Sequence, residues 1–172
     1  LQKLLRFQHA DGGWHWWEFD ESDPFISAYV VYGLKLADMN GYVAAHAAMV
    51  RGTEYLRGAL ANEQYRDAQA YLLWALAFAD VWPEAKDLKA ASDLAETLAG
   101  QRAKLDIFSR ASLALALDKL AAVKGQEAGT QAKLAGLART IAGELEAEGK
   151  PLGTGAYWAA DGRYKYSWLD NN

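Results

Sequence analysis

Three stretches of the chain carry one pattern: ISAYVVYGL at residues 26–34, AQAYLLWAL at residues 68–76 and the weaker RASLALAL at residues 110–117. The first two copies lie 42 residues apart, and the third lies about 41 residues further on, as expected for a repeat of this class. Internal repeats of this length are typical of stacked helical hairpins, in which each repeat supplies two helices. The repeat therefore predicts an all-α chain built from antiparallel helix pairs.

The repeated stretches differ from the segments between them in how their apolar residues are arranged. Each copy is apolar nearly all round, as expected of an inner helix that protein covers on both sides. The segments between the copies have one apolar stripe and a charged back, which indicates outer helices at residues 43–60, 85–101 and 131–148. With a first helix at residues 1–8, we expect three inner and three outer helices, followed by a non-helical, aromatic-rich tail over residues 150–172.

The composition is that of one globular domain over residues 1–172. The chain is 52% hydrophobic and 23% charged, so it can bury a core and is not a disordered segment. Its net charge of −4, with both signs interspersed, offers no basic surface for nucleic acid. The longest apolar run, residues 70–79, is far shorter than the roughly 20 residues of a membrane-spanning helix. Cysteine is absent, which excludes disulfides, thiolate metal sites and a thiol nucleophile.

Two aromatic-rich loops hold the residues that could bind a ligand: QHADGGWHWWEFDESD at residues 8–23 and GTGAYWAADGRYKYSWLDNN at residues 153–172. Turn geometry accounts for their Asp-Gly sequences without any ligand, because glycine adopts positive φ at no steric cost. On that interpretation Trp14, Trp16 and Trp17 cover helix ends and donate their indole N–H groups to loop carbonyls.

The alternative interpretation makes these loops a stacking platform for sugars or an apolar ligand. The acidic side chains of the first loop would then act as paired carboxylates: Glu18, Asp20, Glu21 and Asp23. Candidate surface positions in the two loops are Asp11, Gly13, Trp14, Trp16, Asp20, Asp23, Trp158 and Trp168.

No residue pattern predicts catalysis or metal binding. The three histidines, His9, His15 and His46, lack the i, i+4 spacing of a zinc-binding helix. The serines lack a nucleophile elbow, and the glycine-rich pieces lack the Lys and Ser/Thr of a phosphate-binding loop. We therefore expect no catalytic residue, no metal, no cofactor and no enzymatic activity.

The first 37 residues resemble bacterial alpha-2-macroglobulins. They contain AspGlyGlyTrp at residues 11–14, an aromatic pair at 16–17, SerAspPro with a following aromatic at 22–25, and AlaTyrVal-x-x-Gly-Leu at 28–34, in the order typical of that family. Weaker similarity continues through most of the chain.

This resemblance implies an α/α toroid, a ring of inner and outer helices related in fold to complement thioester domains, terpenoid cyclases and protein prenyltransferases. The family contains protease traps in which a Gly-Cys-Gly-Glu-Gln motif forms an internal thioester and acylates the attacking protease. That motif is absent here, and the resemblance places it upstream of Leu1. The expected role is a scaffold fragment of the thioester-containing domain of a protease inhibitor, with an extracytoplasmic, periplasmic location.

The expected partners are other domains of the parent protein and, through that parent, target proteases. Three inner helices cannot close a ring, so some of their apolar side chains are expected to face an unfilled concavity. A two-fold homodimer of the fragment would cover them. We expect some of the exposed side chains to be among Tyr29, Tyr32, Leu72, Trp74 and Leu115.

Two other functions remain open. The spacing Gln8-x-x-Asp11-Gly12-Gly13-Trp14 also fits the Gln-Trp repeat of terpenoid cyclases, so one alternative is a toroid-class enzyme that acts on terpenoids or glycans. A carboxylate and aromatic rings that converge in one deep cavity would favour that alternative. The other is a helical-repeat protein-interaction module with a concave binding face.

Overall fold

The computed structural model describes residues 1–159, so the candidate Trp168 lies outside the described residues. The predicted all-α class is confirmed. In the described part, no helix is long and apolar enough to cross a bilayer. The elements are α1 (Gln2–Arg6), α2 (Pro24–Met39), α3 (Ala44–Asn62), α4 (Arg66–Ala79), α5 (Ala85–Gly100), α6 (Ile107–Ala121), α7 (Ala128–Glu148), β1 (Lys150–Leu152) and β2 (Gly155–Tyr157), with a 3₁₀ turn at Arg102–Lys104 before α6.

The helices form an inner and an outer series. Inner helices α2, α4 and α6 pack side by side in chain order, and each is followed by an outer helix that packs back against it: α3, α5 and α7. Helix α3 also contacts the next inner helix, α4, and α5 also contacts the next inner helix, α6. The outer helices α5 and α7 contact each other as well. The repeat of helical hairpins predicted from the sequence is thus present over three successive units.

Capping side chains fix where the inner helices begin. Asp23 precedes Pro24, and its carboxylate accepts the Ile26 N–H at 2.8 Å. Asp106 caps α6 in the same way by accepting the Ser109 N–H at 2.6 Å. A short side chain that satisfies a free N–H of the first turn stabilises a helix by about 1 kcal/mol. Both helix starts are therefore set by local chemistry.

Helix α4 lies at the centre of the molecule and belongs to two hydrophobic cores. Its residues Tyr71, Leu72 and Leu76 pack with α2 and α3. Its residues Leu73 and Ala77, which project elsewhere around the helix, pack with α5, α6 and α7. Because α4 has neighbours around most of its circumference, the segment between Ala70 and Ala79 is apolar nearly all round, as the sequence indicated.

A band of aromatic side chains joins the three inner helices. Tyr32 on α2 lies 4.8 Å from Trp74 and 4.7 Å from Phe78 on α4, measured between ring centroids. Tyr29 and Leu115, two of the residues expected to face a concavity, are 69% and 52% exposed. Leu72, another residue of that set, is only 1% exposed because it packs into the core with α2 and α3. Association of two copies through this band stays a prediction.

A two-stranded antiparallel hairpin follows α7 at the start of the expected non-helical tail. Lys150 pairs with Tyr157 and Leu152 with Gly155, and the turn between the strands contains Gly153 at φ +59°. After the hairpin, the Trp158 indole donates to Leu145 O at 2.6 Å. This bond holds the chain against the carboxyl end of α7.

Candidate functional site

The glycine turn of the first aromatic loop is held by hydrogen bonds within the loop. His9 N–H donates to Gly13 O at 2.9 Å, and Gly12 N–H donates to His9 O at 3.0 Å. The Asp11 carboxylate accepts from Gly13 N–H at 2.9 Å and from the Ser22 hydroxyl at 2.8 Å. Since Ser22 donates to Asp11, its oxygen accepts from His9 Nδ1, 3.0 Å away. The Asp11 side chain thus joins the two ends of the loop.

The same turn docks directly on α3. The Gln8 side-chain amide donates to Ala48 O at 2.9 Å and to Gly12 O at 2.9 Å, and its oxygen accepts from the Arg51 guanidinium. Gly12 has φ +92°, and a Cβ atom at this position would lie 2.6 Å from Arg51 O. Glycine is needed here both for the backbone angle and for the close approach to α3.

Trp14 anchors the loop in the core and is only 1% exposed. Its indole donates to Leu4 O at 3.1 Å, and its backbone N–H donates to the buried Ser27 hydroxyl at 2.8 Å. A Cβ atom on Gly52 of α3 would lie 2.8 Å from the Trp14 ring and 2.6 Å from Val31 Cγ2. Trp14 is therefore a structural residue that packs between α2 and the glycine of α3.

Tyr55 closes the loop from the side of α3. Its hydroxyl donates to Ser22 O at 2.7 Å. Burial, together with the smaller effect of the negative charges of Asp11 and Asp23, raises the pKa of Tyr55 to about 12. The phenol is therefore held in its protonated, donating form.

This arrangement predicts a loss of stability at alkaline pH that depends on Tyr55. The folded chain keeps the Tyr55 proton up to a pKa of about 12, whereas the unfolded chain releases it near the ordinary value of 10.0. The contribution of Tyr55 to the free energy of unfolding is fully present below pH 10 and falls as the pH rises from 10 to 12. In urea titrations across that range, Tyr55→Phe should lose less stability than the parent chain. Burial also raises the pKa of Tyr71 to about 12. The Tyr55→Phe variant should therefore still lose some stability over this pH range.

The control for this prediction is Tyr42→Phe, which removes a phenol that is 60% exposed. Its stability profile should run parallel to that of the parent. If the stability of Tyr55→Phe also changed with pH as that of the parent does between pH 10 and 12, the claim that folding raises the pKa of Tyr55 would be contradicted.

The middle of the loop turns towards solvent instead of covering a helix end. Trp16 and Trp17 are 73% and 64% exposed, and their indoles make no hydrogen bond within residues 1–159. The expectation that all three tryptophans cover helix ends through indole hydrogen bonds is therefore wrong for these two, whose rings are largely exposed to solvent. His15 Nδ1 lies 3.1 Å from Asp20 Oδ2, so the Asp20 carboxylate pairs with the imidazole at the loop surface.

A cavity of about 610 Å³ lies at the amino ends of the inner helices, and we call it the amino-end cavity. The first loop contributes His15, Trp16 and Asp23 to its wall, and the starts of α2, α4 and α6 supply the rest. Those further lining residues are Pro24, Phe25, Ile26, Glu63, Tyr65, Asp67, Ala68, Leu72, Asp106, Phe108 and Ser109.

The four carboxylates of the amino-end cavity each hold backbone N–H groups. Asp23 and Asp106 cap α2 and α6, as described above. Asp67 Oδ1 accepts the Asp106 N–H at 3.0 Å, which ties the starts of α4 and α6 together. Glu63 Oε1 accepts the N–H groups of both Gln64 and Tyr65 at 2.8 Å. The acidic side chains are thereby fixed in position around the cavity.

The candidate positions from the sequence fall into separate places. Asp11, Gly13 and Trp14 hold the loop on α2 and α3, and among the candidates within residues 1–159 only Trp16 and Asp23 reach the amino-end cavity. A Cβ atom on Gly13 would lie 2.5 Å from Ser22 Cβ, which accounts for glycine there without a ligand. Asp20 lies on the exposed part of the loop, and Trp158 lies at the end of α7.

Sequence reasoning did not identify most of the cavity wall, although the repeat contains a signal for it. The residues that precede the three inner helices, Asp23, Tyr65 and Asp106, occupy equivalent positions in the three copies. Parallel inner helices packed side by side bring such positions to one end of the layer. Applying the repeat to the loops as well as to the helices would have placed these residues together.

The described carboxylates and histidines do not form a metal centre. Across residues 1–159, no three His, Asp or Glu side chains lie close enough together to hold a metal ion. The carboxylates of the amino-end cavity are distributed around its wall, whereas a metal site needs ligands that converge on one point.

Comparison with known proteins finds a local similarity. A segment of 57 residues, 33% of this chain, is 49% identical to the alpha-2-macroglobulin of Thermotoga maritima and covers 4% of the length of that protein. No family model matches the chain, and no solved structure matches it. The chain thus contains an alpha-2-macroglobulin-like region and spans a small part of that relative.

Proposed function

We propose that this chain is a scaffold part of the thioester-containing domain of an alpha-2-macroglobulin-like protease inhibitor. The observation that carries the proposal is the 49% identity to the Thermotoga maritima protein over 57 residues. The chain contains no cysteine, so a thioester would need a sulfur supplied by another part of a longer protein. We also infer an extracytoplasmic, periplasmic location from the family resemblance.

The arrangement of the helices supports this role. In an α/α toroid, successive hairpins place one helix on the inside of the ring and the next on the outside. Helices α2, α4 and α6 contact one another in that order, and α3, α5 and α7 each pack behind them. Three such units would form an arc of the proposed ring, and the exposed Tyr29 and Leu115 lie on helices of its inner series.

The two enzyme alternatives gain no support from the amino-end cavity. It does combine aromatic rings with carboxylates, as a terpenoid cyclase or glycan-active enzyme would require. However, one oxygen of each carboxylate is engaged by backbone N–H groups, and the carboxylates among the described residues do not converge on one point: Asp23, Glu63, Asp67 and Asp106. A binding role suits this wall better than general-acid catalysis.

The proposal is tested on the complete gene product that contains this sequence. That product should carry a Gly-Cys-Gly-Glu-Gln or Cys-Leu-Glu-Gln string before Leu1 and should form a covalent conjugate with trypsin that survives boiling in denaturant. Methylamine treatment beforehand should abolish the conjugate, because the amine consumes the acyl group. The 172-residue chain alone should gain no mass from methylamine. Absence of both the string and the conjugate would contradict the proposal.

A further inference from the structure

Exposed aromatic rings stand around the mouth of the amino-end cavity. Tyr65 is 68% exposed and Phe108 is 46% exposed, while Trp16, described above, extends from the first loop. Phe25 forms the wall behind them and stacks on Tyr71 with 4.0 Å between ring centroids. The faces of such rings attract both apolar groups and organic cations. Three rings from three separate segments therefore offer one contact surface.

Carboxylates outnumber basic groups in the described cavity wall, where His15 is the one basic side chain. Asp23, Glu63, Asp67 and Asp106 line the cavity, and no Lys or Arg among the described residues does so. In each carboxylate only one oxygen accepts the capping bonds; the second oxygen has no hydrogen-bond partner within residues 1–159. The wall therefore has negative charge, and each carboxylate keeps one oxygen that no hydrogen bond within residues 1–159 engages.

The basic residues at the starts of the inner helices are engaged elsewhere. Arg66, the first residue of α4, donates to the side-chain oxygen of Gln101. Arg110, in the first turn of α6, forms a two-pronged ion pair with Glu148 at the end of α7. Neither side chain lines the cavity, so the chain does not neutralise the four carboxylates with these cations.

We propose that the amino-end cavity binds a lysine or arginine side chain presented by an extended peptide segment of another protein. The cation would lie among the free carboxylate oxygens, and its aliphatic stem would lie against Phe25, Tyr65 and Phe108. Carboxylates spread around a wall suit an elongated organic cation, whereas they do not converge as a metal ion requires. The volume of about 610 Å³ is within the usual range of peptide- and ligand-sized sites and exceeds one side chain.

This inference concerns the cavity and does not need a thioester. Assigning the peptide to the surface of a captured protease rests on the proposed function, whereas the binding itself does not. The two claims can fail separately. If the 172-residue chain binds the cation but the complete gene product forms no conjugate, the proposed function is contradicted and the assignment of the cavity is not.

The test uses the 172-residue chain and three short peptides, Ac-Ala-Lys-Ala-NH2, the same peptide with arginine, and the same peptide with acetyllysine. Isothermal titration calorimetry gives the affinities, and the indole resonance of Trp16, assigned with Trp16→Phe, reports the location. The lysine and arginine peptides should bind and shift this resonance. Acetyllysine, which keeps the stem but removes the charge, should bind at least about tenfold more weakly.

Isosteric variants locate the charge. Asp67→Asn and Asp106→Asn keep the oxygen that accepts the backbone N–H but remove the negative charge, so the helix starts should stay intact. Each should weaken binding of the lysine peptide by about two- to fivefold, and circular dichroism melts verify the fold. Glu146→Gln, an equal charge change on the exposed back of α7, should leave the affinity unchanged.

A second variant keeps the proposal testable if the Asn variants fold poorly. Phe108→Leu shortens an exposed side chain and should weaken binding of the lysine peptide without altering the caps. The proposal is overturned if the acetyllysine peptide binds as well as the lysine peptide, or if no peptide binds at millimolar concentration. It is also overturned if folded Asn variants bind like the parent chain.

Discussion

Replacing Trp14 by alanine is expected to lower the free energy of unfolding by about 3–5 kcal/mol, the range for a fully buried aromatic side chain. The ring packs closely against Gly52 beside Val31, so its removal would leave a cavity in the core. Truncation would also leave Leu4 O without its indole donor. Urea denaturation followed by circular dichroism measures the change.

Trp17→Ala is the matched control, since it removes the same side chain from the same loop. Trp17 is 64% exposed, and a surface change of this kind alters stability by about 0.5 kcal/mol or less. Equal losses at the two positions would contradict the division of the loop into a buried anchor and an exposed tip.

Gly12→Ala is expected to be the most damaging glycine substitution in the loop, at roughly 2–4 kcal/mol from positive-φ strain and forced backbone displacement together. The new methyl group would lie 2.6 Å from Arg51 O, a backbone atom that cannot rotate away. The turn would have to lift off α3 and lose the contacts that Gln8 makes there.

Gly41→Ala separates the two causes. Gly41 has φ +86°, close to the +92° of Gly12, but a Cβ atom at Gly41 would meet no atom within 4 Å. Its cost should therefore be the strain alone, about 1–2 kcal/mol. Chemical denaturation of both variants gives the difference, and a Gly41→Ala loss as large as that of Gly12→Ala would show that the contact with Arg51 is unimportant.

The helices could be predicted closely because their signals are local. The outer helix expected at residues 85–101 is Ala85–Gly100, and the one expected at residues 43–60 is Ala44–Asn62. Periodicity gives the body of each helix, and capping residues and glycines give its ends. The last outer helix begins three residues earlier than expected, at Ala128, because the chain turns sharply at Gly125 with φ +89° and can start the helix soon afterwards.

The site could be predicted only in part because it depends on contacts that are distant in sequence. Nothing in the spacing of Trp14, Trp16 and Trp17 shows which ring is buried; that is decided by Gly52, on a different helix. The amino-end cavity likewise joins loops about 40 residues apart, and only the repeat contains that information. Its Asp67 bond to the start of α6 has no counterpart in the local sequence.

Because α4 belongs to both hydrophobic cores, the described part of the chain cannot be divided at this helix into two separately folded halves. One set of α4 side chains packs in the core with α2 and α3, and another set packs in the core with α5, α6 and α7. Neither side of α4 is therefore a domain boundary. A shorter protein cut on either side of α4 would leave Leu73 or Leu76 facing water. If a hairpin were lost from either end of such an array, the apolar face that it covered on the next helix would need polar residues or a new covering segment, as in the terminal repeats of other repeat proteins.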